Sequence, residues 1–481
     1  MTSNKNQLTT GVIVFTFFSF LSLPLGYIRN WLLSSINVEF VSAFASINIF
    51  IGIVNTFFVF GATNIYSTFL PKIKNSTKQS EFVFSSYINS MALMILMSVI
   101  FFIGYNRLSN NLIERLQISN WGAVFFFIFF YGVGQISVNV LIGLREYKLS
   151  ALLNNLQIFV VTAFLFFIFV GLLPKIADNE FNVFLCLIGF VWCFVFIVFL
   201  CYFISHKGCY CRYYLPRGYW SQAIFVHLGT ILSFLYGYAD QILVLGYLGE
   251  KELAQYFLIV QIASLITFLP IRLGNVFQSS FSATLVDESN SNTSLALQYD
   301  KIARYMLLLT FSISSFFVLF ADEILSIFNH SLKLNSLCFI LLVVRYFIGS
   351  LGSIHSMIIL SKEKNSSFFL MNTYMVIIQL FLSFILVKNY GVFGIIIALI
   401  LSTIVGQLNL AYLLVHKCNM RHFSISKLLL LFLLLVIMIL LSLIPINIFL
   451  KLIILIITIL IVVKILNIKI LYVNKILSGK K

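Results

Sequence analysis

Residues 181–204 read FNVFLCLIGFVWCFVFIVFLCYFI, 24 positions without one charged side chain. A helix needs about 20 such residues to cross roughly 30 Å of hydrocarbon. The stretch shows no alternation of apolar and polar positions, so it does not read as a barrel strand. Runs such as Leu428-Leu429-Leu430-Leu431 are likewise apolar on every face. Working outward, fourteen segments of this kind are found: 11–33, 40–62, 83–105, 121–143, 149–172, 181–204, 221–248, 253–281, 305–325, 336–360, 367–387, 392–415, 428–444 and 446–463. The last two are parted only by Pro445. The first, which follows Lys5, is too long for the apolar core of a signal peptide and carries Pro24 and Arg29; it reads as an uncleaved helix.

The whole chain of 481 residues agrees with that stretch. It is 61% hydrophobic and 10% charged, with 53 Phe and a mean hydropathy of +1.04. Soluble domains carry about a quarter charged residues, so this chain has too little polar surface for water and takes lipid as its solvent. A soluble enzyme, a disordered tail and a coiled coil are excluded. The seven cysteines form no disulfide framework. Cys209 and Cys211 near His206 fall short of the four spaced ligands of a structural zinc site, so no metal is expected and the thiols read as reduced.

The net charge of +16 is mostly topology. With fourteen spans both termini share one side. If that side is the cytoplasm, 21 basic residues against six acids fall inside, and seven against eight fall outside. This is a positive-inside distribution, and Trp31, Trp121 and Trp220 at span ends fit interfacial anchors. Only Arg29, Arg272, Arg345 and Asp240 remain within spans. Each costs a few kcal/mol or more against lipid, so each is expected to face protein or a watery cavity.

An internal repeat accompanies the spans. Gly26-Tyr27-Ile28-Arg29 recurs as Gly237-Tyr238-Ala239-Asp240 after 211 residues, Glu39-Phe40 as Glu252-Leu253 and Gly61 as Gly274 after 213. Arg145-Glu146 returns as Lys362-Glu363 and Asn155 as Asn372 after 217. The expected architecture is an all-α polytopic membrane protein with two pseudo-symmetric six-helix bundles around a central cavity. The lobes are residues 1–212 and 213–426, and residues 427–481 add two helices and a basic cytoplasmic tail. Six spans per half give both halves one orientation, related by an axis along the membrane normal.

The passage Tyr238-Ala239-Asp240-Gln241-Ile242-Leu243-Val244-Leu245-Gly246-Tyr247-Leu248-Gly249, leading through Glu252-Leu253-Ala254-Gln255-Tyr256 to Pro270, resembles the seventh-to-eighth helix passage of polysaccharide transporters in the multidrug/oligosaccharidyl-lipid/polysaccharide (MOP) superfamily. The Gly143-Leu144-Arg145 turn and the plan of six plus six helices, with two more, are similar too. The resemblance spans essentially the whole chain and is nearest to the O-antigen and capsule repeat-unit flippases (Wzx-like). It implies transport of undecaprenyl-pyrophosphate-linked oligosaccharides from the cytoplasmic to the outer face of a bacterial inner membrane by alternating access. It also implies an H+ or Na+ gradient as driving force, and a polysaccharide polymerase and chain-length regulator as partners in the pathway. No cofactor, no enzymatic activity and no nucleic-acid partner are expected; no G-x-x-x-x-G-K-[ST] loop is present.

Arginine suits pyrophosphate, because its fork donates bidentate bonds and its charge persists. Arg29, Arg272 and Arg345 are therefore the candidate phosphate ligands. In the related lipid II flippases, arginines of the first and eighth helices line the cavity, and Arg29 and Arg272 fall on those helices. A structural ion pair or a head reaching the interface is the competing role for each. Asp240 occupies the repeat position of Arg29. The two are expected either to pair in one transport state and part in another, to form a fixed structural pair, or to leave Asp240 as an ion-coupling carboxylate. Gln135 and Asn139, four residues apart on one helical face, form a candidate sugar-facing stripe. Asn154, Asn155, Gln157, His227, Gln261, Asn275, Gln278 and His355 read mainly as interhelical hydrogen-bonding residues. Two further readings stay open. A multidrug/cation antiporter would prefer acidic lumen residues, and a membrane glycan polymerase would carry a large external loop, whereas none here exceeds about 15 residues.

Overall fold

A computed structural model of the chain describes residues 24–59, 75–107, 120–144, 146–173, 180–208, 212–267, 291–328, 334–362, 365–420 and 424–468, with isolated residues between them. These residues are helical nearly throughout. Helix α1 covers residues 24–36. It is followed by α2 (Val38–Ile53) with a π-helical extension (Val54–Phe58), α3 (Ser76–Arg107), α4 (Trp121–Gly143), α5 (Tyr147–Phe169), α6 (Glu180–Lys207), α7 (Tyr219–Tyr247) and α8 (Glu250–Ala263). Then come α9 (Ser291–Leu319), the short α10 (Ala321–Phe328), α11 (Ser336–Ser361), α12 (Asn365–His416), α13 (Ile425–Ser442) and α14 (Ile448–Ile465). Among the described residues ten helices are long and apolar enough to cross a membrane. The protein is an all-α, multi-pass membrane protein.

Local chemistry sets the boundaries. Asn37 caps α2 by accepting from the Glu39 amide at 3.4 Å, and Asn120 caps α4 through the Ala123 amide at 3.2 Å. The spans expected at 367–387 and 392–415 form the continuous run α12, broken at Gly391, whose φ of 57° takes the backbone out of the helix between them. The weakest division of the sequence, at Pro445, is real. Helix α13 stops at Ser442, and Asn447 caps α14 by accepting from the Phe449 amide at 3.3 Å. Span nine differs: its helix begins at Ser291, well before the apolar run, and a separate short helix follows from Ala321.

The contacts divide the chain into two compact units. The first comprises Met1–Leu258 with Phe328–Leu332, the second Ile259–Ile327 with Lys333–Lys481. In the first, α7 packs with α2, and the main segment of the unit ends inside α8, at Leu258. Its core is aromatic. Phe44 and Phe40 meet Phe184 edge-on at 5.5 and 5.9 Å, and Phe50 meets Phe127 at 5.6 Å. Large apolar side chains face outward as well, among them Phe166, Phe190 and Phe194. That surface is tolerable because hydrocarbon covers it.

In the second unit, α13 and α14 pack on α9. Polar contacts tie α14 at both ends. Lys451, 7% exposed, donates to Glu323 at 2.6 Å beside the Phe320 ring, and Arg304 donates to the Leu466 carbonyl at 3.1 Å while pairing with Asp300 at 2.5 Å. Removing Lys451 alone leaves the Glu323 carboxylate without this partner, whereas removing both charges leaves no stranded group. Lys451→Met, Glu323→Gln and the double variant, compared by thermal unfolding in detergent, are expected to show a coupling of about 1 kcal/mol. Additive losses would mean that the pair does not hold α14.

Candidate functional site

The first unit contains a cavity of about 440 Å³, within the size range of small-ligand sites. Four helices line it. Helix α2 and its extension supply Gly52, Asn55 and Thr56; α4 supplies Gln135, Val138, Asn139 and Ile142. Helix α5 supplies Asn154, and α7 supplies Thr230, Ser233, Phe234 and Tyr238. Gln135 and Asn139, picked from their spacing alone, are therefore on one wall together. Among the described residues, none of those lining it carries a charge.

Asn55 reaches the cavity from the π-helical turn, whose wider spacing breaks the regular register of α2 at Val54–Phe58. Its amide donates to the Tyr131 hydroxyl at 2.9 Å, and the Gln135 amide donates to the same oxygen at 3.3 Å. Asn139 donates to the Gln135 backbone carbonyl at 2.7 Å. Each of these three amides thus commits one N–H to the protein and keeps the other, with its carbonyl oxygen. Asn154 is exposed and, among the described residues, has no protein partner. Gly52 faces Phe234 and Tyr238 so closely that an added Cβ would lie 2.9 Å from Tyr238 Cε2 and 3.0 Å from Phe234 Cε2. A side chain here would have to displace these rings, which glycine leaves in place as one wall of the cavity.

A second pocket of about 200 Å³ adjoins the first, sharing Asn154. Arg29, Phe44, Asn155, Gln157 and Ser22 are among its lining residues. The Arg29 guanidinium donates through Nε and Nη2 to Asn30 Oδ1, at 3.3 and 3.1 Å, and lies over the Phe44 ring at 4.5 Å. A guanidinium has five N–H donors, so the Nη1 pair and one Nη2 hydrogen remain for the pocket. Gln157 is held by the Trp192 indole, which donates to its Oε1 at 3.0 Å, and the Asn155 amide donates back to the Ala151 carbonyl at 2.7 Å. Among the described residues, Arg29 is the single charged member of the two linings.

Among the described residues no ion pair joins Arg29 to Asp240. Asp240 is buried in α7 and accepts from the Tyr256 hydroxyl at 2.5 Å. Arg345 belongs to the second unit, 7% exposed, with its guanidinium 4.6 Å over the Tyr346 ring. Arg272 lies outside the described residues, as do Pro270, Asn275, Gln278, Cys209 and Cys211. His355 bonds Tyr299 at 3.0 Å between helices, in keeping with an interhelical role. Sequence reasoning missed Asn55, Thr56, Thr230, Ser233 and Tyr238. The one available signal was the polar pair Asn55-Thr56 interrupting an apolar run.

No protein-family model matches the sequence, and none of the curated proteins does. Solved structures do. The lipid II flippase MurJ in an inward closed conformation matches over 94% of this chain and 98% of its own, with a TM-score of 0.68 and 19% identity. The chain has the fold of a MOP superfamily transporter. An inward-facing multidrug resistance MATE family transporter of that superfamily covers 83% of this chain and 97% of its own, at 14% identity and a TM-score of 0.64. A MOP superfamily transporter from Pyrococcus furiosus, described by a reverse polarity of its binding pocket that suggests a different function, covers 84% and 94%, at 15% identity and a TM-score of 0.58. These MOP neighbours are transporters or flippases.

Proposed function

We propose that this chain is a flippase for undecaprenyl-pyrophosphate-linked oligosaccharides, carrying repeat units of an O-antigen or similar surface polysaccharide across a bacterial inner membrane. The observation that carries the reading is the junction at Asn154 of a pocket holding one arginine with a larger cavity lined by neutral amides and hydroxyls. A polyprenyl-pyrophosphate sugar has those two chemistries joined by one bond. Arg29 offers unspent donors to phosphate oxygens, and the amides offer acceptors and donors to sugar hydroxyls. The sequence halves 1–212 and 213–426 would exchange access, driven by an H+ or Na+ gradient. A cation antiporter is disfavoured by the same observation, since among the described residues a cationic drug has no carboxylate to meet in either lining.

Deletion of the gene is expected to leave lipid-linked repeat units on the cytoplasmic face and to abolish the surface polymer. Unchanged polymer in the deletion strain would overturn the reading. Arg272, on the eighth span, is expected to be a second phosphate ligand. Arg272→Ala loses transport and Arg272→Lys keeps part of it, because charge survives without the bidentate fork; a fully active alanine variant removes Arg272 from the site.

A further inference from the structure

We infer that the 440 Å³ cavity is a subsite selective for an uncharged sugar ring and closed to acidic sugars. The inference rests on the flippase reading and specifies what that site accepts. Three features support it. The cavity presents amides and a hydroxyl from four helices, at Asn55, Gln135, Asn139, Asn154 and Ser233, with no cation among the described lining residues to meet a carboxylate. Two of those amides are fixed on the Tyr131 hydroxyl, so their carbonyl oxygens are presented without a further ordering cost. Tyr238 supplies an aromatic wall for the C–H face of a pyranose, held there by the missing Cβ of Gly52.

The charge distribution sets the selectivity. A hexuronate in this cavity would meet neutral amides and hydroxyls but no cation among the described residues, while burial removes the water its charge needs. The nearest lining cation is Arg29, in the adjoining pocket, where the pyrophosphate competes for it. A neutral hexose or N-acetylhexosamine has hydroxyl donors for the amide carbonyl oxygens. The sharing of Asn154 by both pockets sets the ring next to the phosphate end of the substrate.

The test uses the full-length protein in proteoliposomes. Two probes are undecaprenyl-pyrophosphate carrying a single N-acetylglucosamine or a single glucuronic acid. Translocation is read as protection of either probe from a membrane-impermeant pyrophosphatase added outside. The neutral probe is expected to move at least tenfold faster than the acidic one. Gln135→Leu is expected to slow the neutral probe about tenfold, the value of one lost hydrogen bond to substrate. Gln135→Lys should reverse the preference, by giving the carboxylate a partner. That gain cannot arise from misfolding. Equal rates for the two probes, or a Gln135→Lys variant with unchanged preference, would overturn the neutral subsite and leave the flippase reading standing. If the wild type moves neither probe, the flippase reading fails and this inference with it.

Discussion

Replacing Arg29 with Gln is expected to lower transport of a lipid-linked oligosaccharide by about 10- to 100-fold while leaving the fold intact. The magnitude follows from a charge-assisted hydrogen bond to substrate, about 1.5 to 3 kcal/mol. The separation of function from stability follows from the neighbours of Arg29. Its guanidinium bonds Asn30 and covers the Phe44 ring, and among the described residues it has no acidic partner that the substitution would strand. The structural cost is therefore that of a cation over a ring, about 1 kcal/mol, plus about 1 kcal/mol for the bonds to buried Asn30 that glutamine replaces only in part. Arg29→Lys keeps the charge without the fork and should fall between. The measurement is pyrophosphatase protection in proteoliposomes, paired with a thermal unfolding profile in detergent. A large loss of stability with transport per folded molecule unchanged would make Arg29 a structural residue.

Gly52→Val is expected to cut transport by about tenfold or more without preventing assembly. The valine methyls would occupy the space now held by the edges of Tyr238 and Phe234. These atoms are ring edges rather than backbone, so the rings can yield, and the direction open to them is the cavity. The effect is a narrowed site at a repacking cost of about 1–3 kcal/mol. Gly52→Ala should be milder in the same direction. Substrate affinity is the informative readout: a normal apparent affinity in Gly52→Val would mean that this wall does not touch the substrate.

These two residues were unequally legible. Arg29 stood out as one of four charges inside apolar spans, because hydrocarbon makes any such charge expensive. Gly52 is one of 24 glycines and gave no sign, since its importance lies in the approach of a ring from a helix some 180 residues later. Gln135 and Asn139 lie between these cases. Their spacing put them on a common face, but whether that face met lipid, core or cavity was open. The separation of α13 from α14 was also open, although Pro445 and the capping Asn447 mark it in retrospect.

What the sequence by itself determined was the solvent, the helical character and most of the spans that the described residues cover, because apolar runs of membrane length have few other solutions; the spans at 11–33 and 253–281 lie partly outside those residues. It also singled out the charges that topology does not explain. The tertiary structure decided which polar side chains share a space. In lipid a helix is apolar on most faces, so it lacks the strong one-sided pattern that reveals the buried side of a helix in water. Asn55, Gln135, Asn154 and Ser233 come from four helices and converge only once those helices pack. Asn55 needs in addition a π-turn that no period in the sequence announces. Their grouping, and its junction with Arg29 at Asn154, is a property of packing rather than of spacing.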